Sequence, residues 1–96
     1  MMQHYIIVKW NNTVKDKSEA ADEVRKLYAE ATEIPSIHRI AIKKNIIARD
    51  NRYDLMIILD MDESSLEAWD NSELHHRWKA DYGHMIDKKA IFDAAD

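Results

Sequence analysis

Five histidines stand among 96 residues. Imidazole is the one side chain whose ordinary titration falls between pH 5 and 8, so these are the first groups to weigh for chemistry. They are His4, His38, His75, His76 and His84. Their spacing argues against a metal site. His75 and His76 are adjacent, and on a helix adjacent side chains diverge by about 100°. His84 lies two and a half turns beyond His75, and no carboxylate stands at a matching offset. There is no H-x-x-x-H pair. The chain has no cysteine. Disulfides, thiolate zinc sites and a cysteine nucleophile are therefore excluded. It also lacks a Gly-rich phosphate loop and a G-x-S-x-G elbow, so no dinucleotide or other cofactor is expected.

Two histidines sit where a polar group is unusual. His75 shares a helical stripe with Trp78 and Tyr82, so it should face inward, while His76 falls on the wetter side with Lys79. His4 shares a strand face with Ile6 and Val8. If both imidazoles enter the same helix–sheet space, they meet in one apolar pocket. A bound polar ligand could then satisfy them. His75 is the candidate general acid/base. His4, Trp69, Trp78 and Tyr82 are the candidate pocket-lining residues. A core role for the three tryptophans is the simpler alternative.

The elements that would position these residues read as follows. Gln3 to Trp10 is a strand with His4, Ile6, Val8 and Trp10 on one face. Asn11-Asn12-Thr13 is a turn. Asp16 and Glu19 form a capping-box-like pair. Ala20, Ala21, Val24, Leu27, Tyr28 and Ala31 follow at helical spacing. Pro35 disfavours helix at Ile34. A second strand is expected from Ile37 to Ile47, with His38, Ile40, Ile42, Lys44 and Ile46 on one side. After a polar turn at 49–52, Asp54 to Met61 is a third strand, apolar on both faces at its centre. Asp62 or Ser64 can cap a short helix through Trp69. Ser72 can cap a second, carrying Leu74, His75, Trp78, Tyr82, Met85 and Ile86. Lys88 to Ala94 is a final strand. The order β-α-β-β-α-β gives a single α+β domain over residues 1–96, ferredoxin-like, with a four-stranded antiparallel sheet.

Two helices cover one face of such a sheet. The other face should be polar if it meets water, yet Tyr5, Ile7, Met56 and Ile58 fall on it. Soluble monomers rarely expose an apolar face of that size. Two sheets packed face to face would hide it, giving an isologous homodimer and a dimeric α/β barrel. A chain this short has a thin core, so a partner would help it fold.

The net charge is −4, with Lys and Arg scattered. Nucleic acid needs a concentrated positive footprint, so no such partner is expected. No stretch approaches the length of a membrane span, and no signal peptide is apparent, so a cytoplasmic location is the default.

Several segments together resemble the stress-responsive A/B barrel (Dabb) family. His4-Tyr5-Ile6-Ile7-Val8-Lys9-Trp10 looks like its opening strand, and Glu33-Ile34-Pro35-Ser36-Ile37 like its Ile-Pro link. Arg52-Tyr53-Asp54-Leu55 is similar to its approach to the third strand. Leu66 through His75 to Ile91-Phe92-Asp93 is similar to its second helix and last strand. The resemblance implies a dimeric α+β barrel of mixed function. One member, olivetolic acid cyclase, is a cofactor-free polyketide cyclase with a tyrosine and a histidine as its acid/base pair. Aligned on the Ile-Phe-Asp endings, that histidine falls on His75 and a pocket histidine on His4. The tyrosine falls on Trp69, whose indole N–H donates but cannot serve as a base. The family's His-Pro before the histidine is Ser72-Glu73 here.

Three functions follow as expectations. The first is a pocket for a small hydrophobic or oxygenated molecule, with lyase- or cyclase-type proton transfer through His75. The second is a non-enzymatic, stress-related dimer that sequesters a ligand. The third is a cofactor-independent or haem-degrading monooxygenase, drawing on Asn11, Trp69 and His75 or His76.

Overall fold

A computed structural model describes residues 1–95. Strand β1 spans Met2–Trp10, helix α1 Lys17–Tyr28, β2 Ile37–Lys44 and β3 Leu55–Met61. Helix α2 spans Leu66–Asp70, α3 Glu73–Tyr82 and β4 Ile86–Ala95. The sheet order is β2-β3-β1-β4, and every neighbouring pair is antiparallel. This is the ferredoxin-like arrangement, with the helices on one face.

Period-two patterning sets that face. In β1 every second residue from Met2 to Trp10 is buried, and in β3 Leu55, Ile57, Leu59 and Met61 are. Helix α1 lays Ala20, Ala21, Val24, Leu27 and Tyr28 on them. Asp16 starts that helix, its carboxylate accepting the Glu19 N–H at 2.9 Å. Ser72 starts α3 in the same way, its Oγ accepting the His75 N–H at 3.1 Å. Each cap contributes about 1 kcal/mol.

Three boundaries differ from the sequence expectation. Strand β2 stops at Lys44 because the Asn45 side chain takes over as local partner. Its Oδ1 accepts the Ile47 N–H at 3.1 Å and its Nδ2 donates to the Ile47 carbonyl at 2.6 Å. That side-chain turn curls the backbone away from the ladder, leaving Ile46 89% exposed. The β2 register also shifts between Ile37 and Arg39. His38 is the extra residue of this bulge, so Ile37 and Ile40 both reach the inner face although their numbers differ in parity. His38 itself is exposed and meets Asp62 at 3.2 Å. This contact, with help from Ser36, holds the Asp62 carboxyl below its ordinary range. Finally, α3 ends at Tyr82, and a 3₁₀ turn over Gly83–Met85 leads into β4 at Ile86. Ile86 leaves the helix because it pairs with Trp10 across the sheet.

An aromatic cluster fills the space between helices and sheet. Tyr28 lies 5.6 Å from Trp69 and 5.5 Å from Trp78, ring centre to ring centre. Trp78 stacks on Tyr82 at 5.3 Å and meets Trp10 edge-on. The Tyr28 hydroxyl is fully buried with no hydrogen-bond partner among the described residues. Burial pushes its phenol far above the ordinary 10.0. An unmatched buried hydroxyl costs about 1–3 kcal/mol. Tyr28→Phe is therefore expected to raise stability by about 1 kcal/mol in urea unfolding near neutral pH. The sign of the pH effect is fixed as well. Above pH 10.0 the unfolded phenol ionises and the folded one stays protonated, so stability contributed by Tyr28 declines as pH rises. Tyr28→Phe should remove that part of the alkaline decline.

The outer sheet face carries Tyr5, Ile7, Ala41, Met56, Ile58 and Phe92, alternating with the buried set. Phe92 is 62% exposed and meets Tyr5 edge-on. Among the described residues no helix covers this face.

Candidate functional site

His4 and Asp93 are direct partners across β1 and β4. Both point to the inner face, where His4 Nδ1 lies 2.5 Å from Asp93 Oδ1. His4 is 5% exposed. A polar ring so deep requires a partner, and the carboxylate supplies one. It accepts from Nδ1–H, which fixes the tautomer and leaves Nε2 as the ring atom open to the cleft that His4 lines.

The break between α2 and α3 positions the second imidazole. Ser72 Oγ caps α3 and also donates to the Trp69 carbonyl at 2.7 Å, so the corner is held by one side chain. His75 stands on the first turn of α3, half-buried, with Nδ1 2.9 Å from the Asp70 carbonyl. A carbonyl can only accept, so Nδ1 carries a proton, while Nε2 has no hydrogen-bond partner among the described residues. The His75 ring lies 5.0 Å from the Trp69 ring.

His4, His75 and Trp78 line one cleft, together with Asp70, Asp93 and the apolar side chains of Ile6, Leu66 and Ile91. Lys79 and Lys89, both exposed, also line it. Its volume is about 280 Å³, just below the usual range for ligand sites. Two imidazoles, each with Nδ1 engaged by an acceptor, thus share a small half-apolar space with two carboxylates. The arrangement can move a proton on and off a bound molecule. Among the described residues no group of three or more metal-ligand side chains converges.

The other sequence-selected residues lie elsewhere. Trp69 is wholly buried between Tyr28 and His75, and forms the floor beneath the imidazole without lining the cleft. Tyr82 stands beyond Trp78 along α3, against Trp10, and does not line it either. His76 and His84 are exposed. Asn11 holds a turn, its Nδ2 donating to the His84 carbonyl at 2.8 Å and its Oδ1 accepting from the Thr13 N–H. Sequence reasoning missed Asp93 and Asp70. Asp93 is reached only through the register of the first and last strands, which sets it opposite His4.

Compared with known proteins, the sequence matches no protein-family model, and no curated protein matches it. Solved structures do match. A dimeric ferredoxin-like protein of unknown function from Thermobifida fusca superposes with a TM-score of 0.81 at 22% identity, covering 99% of this chain and 90% of that one. The hydroxynitrile lyase of Passiflora edulis gives 0.75 at 9% identity, covering 97% and 90%. A Dabb family protein from Mesorhizobium loti gives 0.66 at 11% identity, covering 99% and 95%. What they share with this chain is the fold. The neighbours named include a dimeric protein, a lyase and a Dabb protein, so the fold agrees with the sequence expectation while the chemistry must be argued from the cleft.

Proposed function

We propose that this chain is a Dabb-type protein. In this reading it forms a homodimer through the outer sheet face and binds one small oxygenated or hydrophobic molecule in the cleft of His4 and His75. Proton transfer to or from the bound molecule follows, with His75 as acid/base. His4, held by Asp93, is its partner. The observation that carries this reading is that both imidazoles have Nδ1 tied down and Nε2 free within one cleft. Its volume suits about one substituted ring. The apolar outer face, and the dimeric Thermobifida fusca neighbour, support the homodimer. The lyase among the neighbours supports proton chemistry on this fold.

Two measurements test it. In the first, small phenols and 1,3-dicarbonyl compounds are titrated against labelled protein by NMR. Saturable shifts should gather at His4, His75 and Trp78; shifts only outside the cleft would overturn the reading. In the second, deuterium exchange at the carbon between two carbonyls is followed in D₂O. It should be accelerated by the protein and lost in His75→Ala. Binding without exchange would favour the sequestering, non-enzymatic reading.

The Asp93→Ala variant isolates the positioning role. It should cost about 1–3 kcal/mol of stability, the usual penalty for a buried polar group stripped of its partner. Nitrogen chemical shifts should then show His4 returning from the Nδ1–H tautomer towards the Nε2–H form.

A further inference from the structure

We propose that a second cleft, between the loop at residues 45–54 and the first turn of α1, binds an organic polyanion of the phosphate-bearing class. This cleft is separate from the one lined by His4 and His75 and is the larger of the two. Its volume is about 590 Å³, well inside the range of small-molecule sites.

Charge is the first argument. Lys9, Lys17, Lys44, Arg49 and Arg52 line the cleft, against Asp50 and Asp54. Five positive groups face two negative ones on a chain whose net charge is −4. Part of this charge is already matched. Asp54 turns both oxygens to partners, Oδ2 accepting the Trp10 N–H at 2.8 Å and Oδ1 meeting Lys17 Nζ at 3.1 Å. Lys44 meets Asp22 at 2.9 Å. The remaining cations have neutral company. Lys9 Nζ donates to the Asp50 and Arg52 carbonyls, and Arg52 Nη1 donates to Asn51 Oδ1. Neutral acceptors orient these groups without cancelling their charge. Arg49 enters no ion pair among the described residues.

Two further features agree. Lys17 and Ser18 open α1, a 12-residue helix, and both line the cleft. The Asp16 carboxylate already caps this end at the Glu19 N–H, so Lys17 and Ser18 contribute to the cleft through their side chains. Guanidinium groups on the facing loop match phosphate oxygens in paired geometry. Ile46, 89% exposed, and Ile47, 42% exposed, also line the cleft and offer it apolar surface. A bare ion would leave that surface unused. An organic phosphate would place its phosphates on the cations and its ring on the two isoleucines.

The test is an amide NMR titration at low ionic strength with two probes, ADP and inorganic pyrophosphate. Saturable shifts are expected at Ser18, Asn45, Arg49 and Arg52 with both probes, and at Ile46 and Ile47 with ADP, which should bind the more tightly. Added salt should weaken both. The double variant Arg49→Glu/Arg52→Glu should lower affinity at least about tenfold, the equivalent of about 1.4 kcal/mol. Both residues stand on the loop, so the melting temperature should hold and report an intact fold. Lys79→Glu, at the other cleft, should leave binding unchanged. Shifts that never saturate, or that spread evenly over surface lysines, would overturn the proposal, as would equal affinity for the two probes or full binding by the double variant.

Discussion

Trp69→Ala should unfold with a loss of about 3–5 kcal/mol, the range for deleting a buried aromatic. Small domains hold about 5–15 kcal/mol in all, so the variant would stand at or near the threshold of folding. The reason lies in what Trp69 touches. It is 0% exposed, packs on Tyr28, and supports the His75 ring from below. Helix α2 is only five residues long, too short to hold itself by its own backbone bonds. Trp69 is its one fully buried side chain, with Leu66 packed beside the core and Ser72 bonded to its last turn. Urea unfolding measures the loss. Trp69→Phe, which keeps an apolar ring, should recover much of it. If Trp69→Ala instead unfolded within about 1 kcal/mol of the parent, the floor beneath His75 would not be structural.

Ile58→Asp is the second large effect. Ile58 stands on β3, one of the two central strands, opposite Tyr5 and beside Ala41 on the outer face. In the proposed homodimer this is the middle of the contact. A carboxylate there must lose its water, with only Tyr5 and Ala41 directly opposite it in the sheet, a penalty of several kcal/mol per buried charge. Sedimentation should show dimers for the parent and monomers for the variant. The parent's melting temperature should rise with protein concentration and the variant's should not, because assembly contributes stability by mass action. A parent that sediments as a monomer at every concentration would remove the dimer from the proposal. It would leave both clefts untouched, since neither is built from Ile58.

Much of the fold was legible because it rests on local signals. The alternation in β1 needs only residues two apart, and the α1 stripe only residues three and four apart. Asp16 and Ser72 cap helices through bonds that span three residues. What was not legible depends on contacts between distant segments. The bulge at His38 has no composition of its own. Isoleucine at 37, 40 and 42 supports either parity until Met61 and Leu59 fix the register. The strand expected to run to Ile47 ended early because one amide side chain outcompeted the ladder. In the site, His4 and His75 could be singled out as polar groups on apolar stripes. Asp93 could not, because it is 89 residues from His4 and looks like any acid near a terminus. Trp69 illustrates the opposite limit. Spacing placed it near the pocket, but a ring of that size on so short a helix was drawn fully into the core.

The closeness of the Trp69 and His75 rings also makes the protein its own optical probe. An excited indole gives up an electron readily, and an imidazolium accepts one far better than a neutral imidazole. With 5.0 Å between ring centres, protonation of His75 is expected to dim the part of the emission that comes from Trp69. The charge state of the candidate acid/base should then be readable in the intrinsic fluorescence, as a pH-dependent change that His75→Ala removes. Occupancy of the cleft should be readable there too, for any ligand that shifts that proton.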